Sequence, residues 1–195
     1  MNTVLIKKWA LVIFGLFSIA IFSQSKTILS SEIRWKAYKT LRAESLSHFG
    51  TVNLKVGNLI FNGNDLAGGS FIMDMKTIDA ADMNEDPKMK KMLENHLKSD
   101  DFFDINKFPT ATFQIKSVKK INKNGYNYQV AGILTIKGIS KNISFPVKVS
   151  QSSSIYTLTS AQFTFNRKNY GLKYNIFEDM LISNDVEINV TINAK

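Results

Sequence analysis

From Ser31 to the C-terminus, apolar and polar side chains alternate with a period of two, and no other feature restricts the chain as strongly. Such alternation builds strands with one buried and one solvated face, so the sequence predicts antiparallel sheet. Ile33, Trp35 and Ala37 alternate with Arg34, Lys36 and Tyr38, and Val52, Leu54 and Val56 alternate with Asn53 and Lys55. Asn62-Gly63 supplies the positive backbone angles of a tight turn, after which Phe71, Met73 and Met75 face away from Ser70, Asp74 and Lys76. A second hairpin pairs Ala111, Phe113 and Ile115 with Tyr126, Tyr128, Val130, Gly132, Leu134 and Ile136 across Lys123-Asn124-Gly125. Ile143, Phe145, Val147 and Val149 begin another strand, and Tyr156 and Leu158 follow it. The apolar parity then switches to Ala161, Phe163 and Phe165, which predicts a bulge near Ser160. Val186, Ile188, Val190 and Ile192 form the last strand.

One segment breaks the period. Asp86 can cap a helix that opens on Pro87, and Met89, Met92, Leu93, His96 and Leu97 then share one face, opposite Lys88, Lys90, Lys91, Glu94 and Lys98. The fold class is therefore all-β, with about eight strands and one helical excursion around residues 87–98. A sheet closed into a single antiparallel barrel removes the exposed edges of an open one. A two-sheet sandwich satisfies the same pattern.

The first residues do not belong to this pattern. Lys7 and Lys8 precede an uncharged run from Trp9 to Phe22, and Ser23-Gln24-Ser25 offers small residues for a signal peptidase. The run is shorter than the roughly 20 residues of a membrane-crossing helix. Residues 1–25 read as a signal peptide removed near Ser23 to Ser25, and residues 26–195 as one barrel domain, periplasmic or secreted. The chain has no cysteine, so neither a lipid-modified thiol nor a disulfide is available and burial must supply stability. Loss of Lys7 and Lys8 lowers the net charge from +9 to +7, and the remaining lysines are dispersed as on a solvated face. Such a surface favours transient contact with an anionic membrane; nucleic acid does not fit the compartment.

Catalytic chemistry finds little support. The two histidines, His48 and His96, are far apart, too few for a histidine-based metal site. His48 fits a hydrogen bond that fixes a strand entrance better than contact with a ligand head group. Asp79, Asp82, Asn84, Glu85 and Asp86 lack the spacing and central glycine of a calcium loop and instead favour the start of the helix. Asp100, Asp101 and Asp104 suit a turn. No catalytic residue and no metal ligand is assigned. What stands out is the apolar content, 14 phenylalanines among it. The interior of a barrel this size is either filled by its own side chains or open to a slender apolar ligand.

Several ordered motifs carry a family resemblance. They are Lys76-Thr77-Ile78-Asp79, the helix reaching Leu97, Asp101-Phe102-Phe103-Asp104 with Lys107-Phe108-Pro109, the strand Gly132 to Gly138, and Asn166-Arg167 with Tyr170-Gly171. As a set the chain resembles the YceI-like family of polyisoprenoid-binding, lipocalin-like envelope proteins over about Ser31 to Lys195. It departs from the commonest pattern at Leu41 to Leu46 and at Ser47-His48-Phe49-Gly50-Thr51.

The resemblance implies a lipocalin-like barrel that binds a long isoprenoid, a polyprenyl phosphate or the tail of a quinone, without catalysis and without a cofactor beyond that lipid. Inward parity selects Trp35, Phe71, Met73, Phe113, Ile115, Tyr128, Leu134, Phe145, Phe163 and Phe165 as the candidate ligand-binding interior. The alternative is an envelope interaction module whose barrel is filled and whose basic outer face binds a protein or an anionic surface. Either fits a monomer or a homodimer.

Overall fold

The computed structural model describes residues 23–39, 47–173 and 182–195. The expected leader up to Phe22 and the segment Leu41 to Leu46 lie outside the described residues. Ser23 to Ser25, where processing is expected, begin the first strand.

The strands are β1 (Ser23–Lys39), β2 (Ser47–Asn62), β3 (Asp65–Asp79), β4 (Thr110–Lys123), β5 (Tyr126–Ile136), β6 (Ile139–Ser152), β7 (Ile155–Ser160), β8 (Phe163–Asn166) and β9 (Ile182–Ala194). All pair antiparallel in the order β1-β2-β3-β4-β5-β6-β7-β9-β8, and β9 also pairs with β1, which closes the sheet into a barrel. β7 and β8 occupy one stave, because both bond the same edge of β9. Between them Thr159 opposes Thr191 while Phe163 opposes Ile188, so the β7–β8 side carries one extra residue. That is the bulge expected near Ser160. The buried Ser160 hydroxyl repairs the ladder there by accepting from the Val190 N–H at 2.9 Å.

Helix α1 (Pro87–Lys98) starts as the sequence dictates. Asp86 accepts from the Met89 N–H at 3.1 Å, and Pro87 occupies the first turn, where no donor is needed. Its orientation differs from the expected one. The half-buried and buried residues are Lys90, Leu93, Glu94, Leu97 and Lys98 together with His96, which faces inward as expected, whereas Met89 and Met92 are 44% and 57% exposed. The cause is polar anchoring: Lys90 pairs with Asp79, and Glu94 accepts from the Ala80 N–H at 3.2 Å. These contacts at the end of β3 rotate the methionines outward.

Two strand residues also depart from parity. Val56 is 56% exposed because a bulge between Leu54 and Val56 against β3 reverses the alternation, so that Leu59 and Phe61 point inward below it. Tyr38 is buried where an outward residue was expected, since β1 shifts register against β9 between Ala37 and Lys39. Its hydroxyl donates to Glu187 at 3.0 Å.

Short turns at Gly63-Asn64, Asn124-Gly125 and Ser153-Ser154 gather at one end of the barrel, called the lower end. α1 and the loop to Pro109 cover the upper end, where the Lys137-Gly138 turn and a 3-10 helix at Arg167–Tyr170 also lie. Gly138 has φ 74°, and a Cβ there would lie 2.9 Å from the Phe108 ring, so the turn and the loop packed on it both require glycine. Apolar burial divides accordingly into an upper cluster around Trp35, Leu97, Phe102 and Phe103 and a lower one around Leu59, Phe61, Val130 and Val147.

Candidate functional site: an apolar cavity in the barrel

A cavity of about 270 Å³ lies between the two clusters. Nine of the ten expected interior residues line it: Trp35, Phe71, Met73, Phe113, Ile115, Leu134, Phe145, Phe163 and Phe165. Tyr128 does not. It points inward from β5 but at the closed lower end, where its hydroxyl donates to Asp65 at 3.1 Å. Asp65 also pairs with Lys120 at 2.6 Å. The Lys120 ammonium and then the Tyr128 hydroxyl hold the Asp65 carboxyl below the usual carboxylate range, while burial and Asp65 push the Tyr128 hydroxyl up.

Phenylalanines form a continuous band in the wall. Ring centroids lie 6.3 Å apart for Phe71 and Phe113, 5.5 Å for Phe113 and Phe145, and 3.9 Å for the stacked Phe145 and Phe163. Gly132 makes this band possible. It faces inward on β5 opposite Ile115, and a Cβ there would lie 2.7 Å from the Phe113 ring. Met73, Phe113, Ile143, Phe163, Ile188 and Val190 all line the cavity yet are only half-buried, the mark of side chains facing open volume.

The hood supplies the upper wall. Phe102 and Phe103 meet edge to face at 4.9 Å, are nearly fully buried, and line the cavity with Leu93 and Leu97. Backbone bonds from the Phe103 N–H to Leu97 at 3.1 Å and from the Ile105 N–H to Lys98 at 3.2 Å fold that loop back onto α1. Asp104 takes φ 50° to do so. Phe102 and Phe103 belong to the sequence motif but were not expected in the wall, because a two-residue aromatic turn has no period to show where it points.

Charged or basic lining groups are confined to the upper end: Lys39, His48 and Arg167. His48 Nδ1 lies 2.8 Å from Asp82, whose other oxygen accepts from the Phe49 N–H at 3.0 Å. This is the entrance-fixing bond expected of His48, and it also places the ring on the cavity. Arg167 is 1% exposed; its guanidinium donates to the carbonyls of Leu172 at 3.0 Å and Ser183 at 3.1 Å, joining the 3-10 helix to the start of β9. Among the described residues no group of His, Asp or Glu side chains has metal-holding geometry, and no helix is long and apolar enough to cross a membrane.

The YceI-like domain family model matches residues 29–194. A UPF0312 protein of Staphylococcus aureus is 41% identical over 88 residues, which cover 42% of this chain and 47% of that protein, so the chain spans about half the length of such curated relatives. Among solved structures, Burkholderia cenocepacia BcnA superimposes with a TM-score of 0.65 at 21% identity, covering 85% of this chain and 96% of BcnA. A domain from Saccharophagus degradans described as polyisoprenoid binding gives 0.61 at 11% identity over 88% of this chain and 97% of its own. The YceI protein of Campylobacter jejuni gives 0.54 at 15% identity over 97% and 93%. These likenesses share the closed antiparallel barrel, and the match over nearly the whole described chain makes this protein a member of the YceI-like domain family.

Proposed function

We propose that this protein is an exported, non-catalytic binding protein that holds the apolar chain of an isoprenoid lipid, of the polyprenyl phosphate or quinone type, inside its barrel for transport, storage or stress protection. The observation that carries the reading is the cavity: closed by strands, walled by a phenylalanine band, with its charged groups kept to one end. A hollow of this composition stays dry and gains from any apolar chain that enters. Each buried methylene contributes about 0.8 kcal/mol, so an isoprene unit contributes on the order of 3 kcal/mol before ordering costs. A cavity of about 150 Å³ accepts one benzene, so 270 Å³ holds roughly ten carbons, or about two isoprene units; a longer chain extends beyond it. The family membership and the polyisoprenoid-binding description of the Saccharophagus domain support the same cargo. Export rests on Lys7 and Lys8 before the apolar run to Phe22.

Native mass spectrometry of protein purified from its own host tests this. The expected result is an added mass, lost on mild activation, whose organic extract contains an isoprenoid. Protein that is bare and stays bare after incubation with polyprenyl phosphate and a long-chain quinone overturns the reading.

One observation favours a second role, contact with an anionic lipid surface. α1 turns Met89 and Met92 outward together with the exposed Lys88 and Lys91, while Glu94 faces the barrel. Salt-sensitive co-sedimentation with phosphatidylglycerol vesicles, reduced by Met92→Glu, is the expected outcome; equal sedimentation of both proteins removes it.

A further inference from the structure

Trp35 carries a polar group that the barrel leaves unanswered. The residue is 9% exposed and lines the cavity, and its indole nitrogen, a donor only, is buried with no hydrogen-bond partner among the described residues. Buried indole N–H groups nearly always find an acceptor. The neighbouring inward positions cannot supply one. Trp35 stands between Ile33 and Ala37 on β1, opposite Gly50 of β2 and Ile188 of β9, none of which has a polar side chain.

Its height in the barrel is informative. Ala37, one inward step above Trp35, pairs with His48, and Lys39 follows at the end of β1. Trp35 therefore lies just below the charged groups that share the upper end with the aromatic hood, and above Phe113 and Ile115 in the wall. An amphiphile with its polar end among Lys39, His48 and Arg167 would carry its first oxygen past the indole.

We infer that the cavity is built for a chain that ends in an oxygen-bearing head, lying head upward, with Trp35 Nε1–H donating to an oxygen of that head and the hydrocarbon tail running down along the phenylalanine band. The assignment rests on the lipid-binding reading above and sharpens it. It makes Trp35 a specificity-determining residue that distinguishes an isoprenoid alcohol, phosphate or quinone from a plain hydrocarbon of the same length. Such discrimination follows because a hydrocarbon buries the N–H without an acceptor, whereas an oxygen satisfies it.

Full-length protein in detergent micelles, offered an equimolar mixture of geranylgeraniol and the matching hydrocarbon without the hydroxyl, provides the test, with bound lipid extracted and quantified by mass spectrometry. Wild type is expected to favour the alcohol by about tenfold. Trp35→Phe keeps a ring and removes the donor; it should lower the preference about fivefold while retaining as much hydrocarbon as wild type. A preference identical in both proteins overturns the assignment. A second measurement needs no change at position 35. In the processed chain expected from residue 26, Trp35 is the one tryptophan, so the indole N–H proton signal is its own. That signal should move downfield with the alcohol and not with the hydrocarbon; equal shifts with both, or none with the alcohol, overturn the proposal. If wild type retains neither lipid, the carrier reading falls and this inference with it, whereas equal retention of both removes only the role of Trp35.

Discussion

The lower and upper halves of the barrel are written in the same alternation of apolar and polar residues, yet one is packed solid and the other is hollow. Toward the lower turns, Leu59, Phe61 and Ala194 show no exposed surface at all. Around the cavity, Phe113, Ile143, Ile188 and Val190 point inward from the same strands and remain half-buried. Parity decides which side of the wall a residue occupies, and the connections decide how far the walls can close. Tight two-residue turns draw the lower strands together, while at the upper end the chain takes the detour from Ala80 to Pro109, so a separate hood must cover the opening.

The largest effect expected from this difference is in stability. Phe61→Ala removes a fully buried ring from the packed half and should cost about 3–5 kcal/mol, whereas Phe113→Ala removes a ring that already lacks neighbours on its cavity side and should cost clearly less. Urea unfolding of both variants measures it. Equal losses would mean that the hollow is not a distinct environment.

Arg167→Met comes next. The substitution keeps bulk but leaves the carbonyls of Leu172 and Ser183 without their charged donor, at a cost of about 2–4 kcal/mol. The same unfolding measurement applies; an unchanged midpoint would show that the buried guanidinium does not hold the upper end together.

How much of this the sequence disclosed depends on the range of the determining interaction. The helix start at Asp86-Pro87 was legible because capping is local, and the break near Ser160 because the parity itself changes there. Val56 and Tyr38 were misplaced because each lies beside a bulge set by the neighbouring strand, which leaves no trace in its own alternation. Met89 and Met92 were misplaced because Leu93 and Leu97 suit either of two helix rotations, and the choice is made by Lys90 on Asp79 and Glu94 on the Ala80 N–H. Among the candidate site residues, direction was legible and depth was not. Tyr128 and Leu134 share one face of β5, but the first closes the floor and the second lines the cavity.

Filling the hollow separates binding from stability. Val190→Phe places a ring where the wall faces open volume, so the folded state should change by about 1 kcal/mol or less, in either direction, while lipid uptake falls at least about tenfold. Thermal unfolding and lipid extraction of the same preparation report both quantities. Retained uptake would place the cargo elsewhere.

The smallest expected effect lies at the lower end, where Asp65, Lys120 and Tyr128 close the floor from outside. Folding lowers the Asp65 pKa, chiefly through Lys120, so this carboxylate stabilises the protein above its unfolded value of about 3.9, and the contribution is lost as pH falls through the lower folded value. Folding raises the Lys120 pKa, chiefly through Asp65, so the same pair contributes below about 10.4 and is lost as pH rises through the higher folded value. The melting-temperature difference between wild type and Asp65→Asn should therefore be flat across neutral pH, shrink toward both extremes and diminish in high salt, because the pair is exposed. At the upper end the fully buried Tyr170, whose hydroxyl burial pushes up to about 12, responds on one side only. It stabilises the neutral form fully below about pH 10 and loses that contribution as pH rises toward 12. Tyr170→Phe should thus alter the alkaline limb of the stability profile and leave the acid limb as in wild type. Matching alkaline limbs in the two proteins would mean that Tyr170 is not what sets the upper end's response to base.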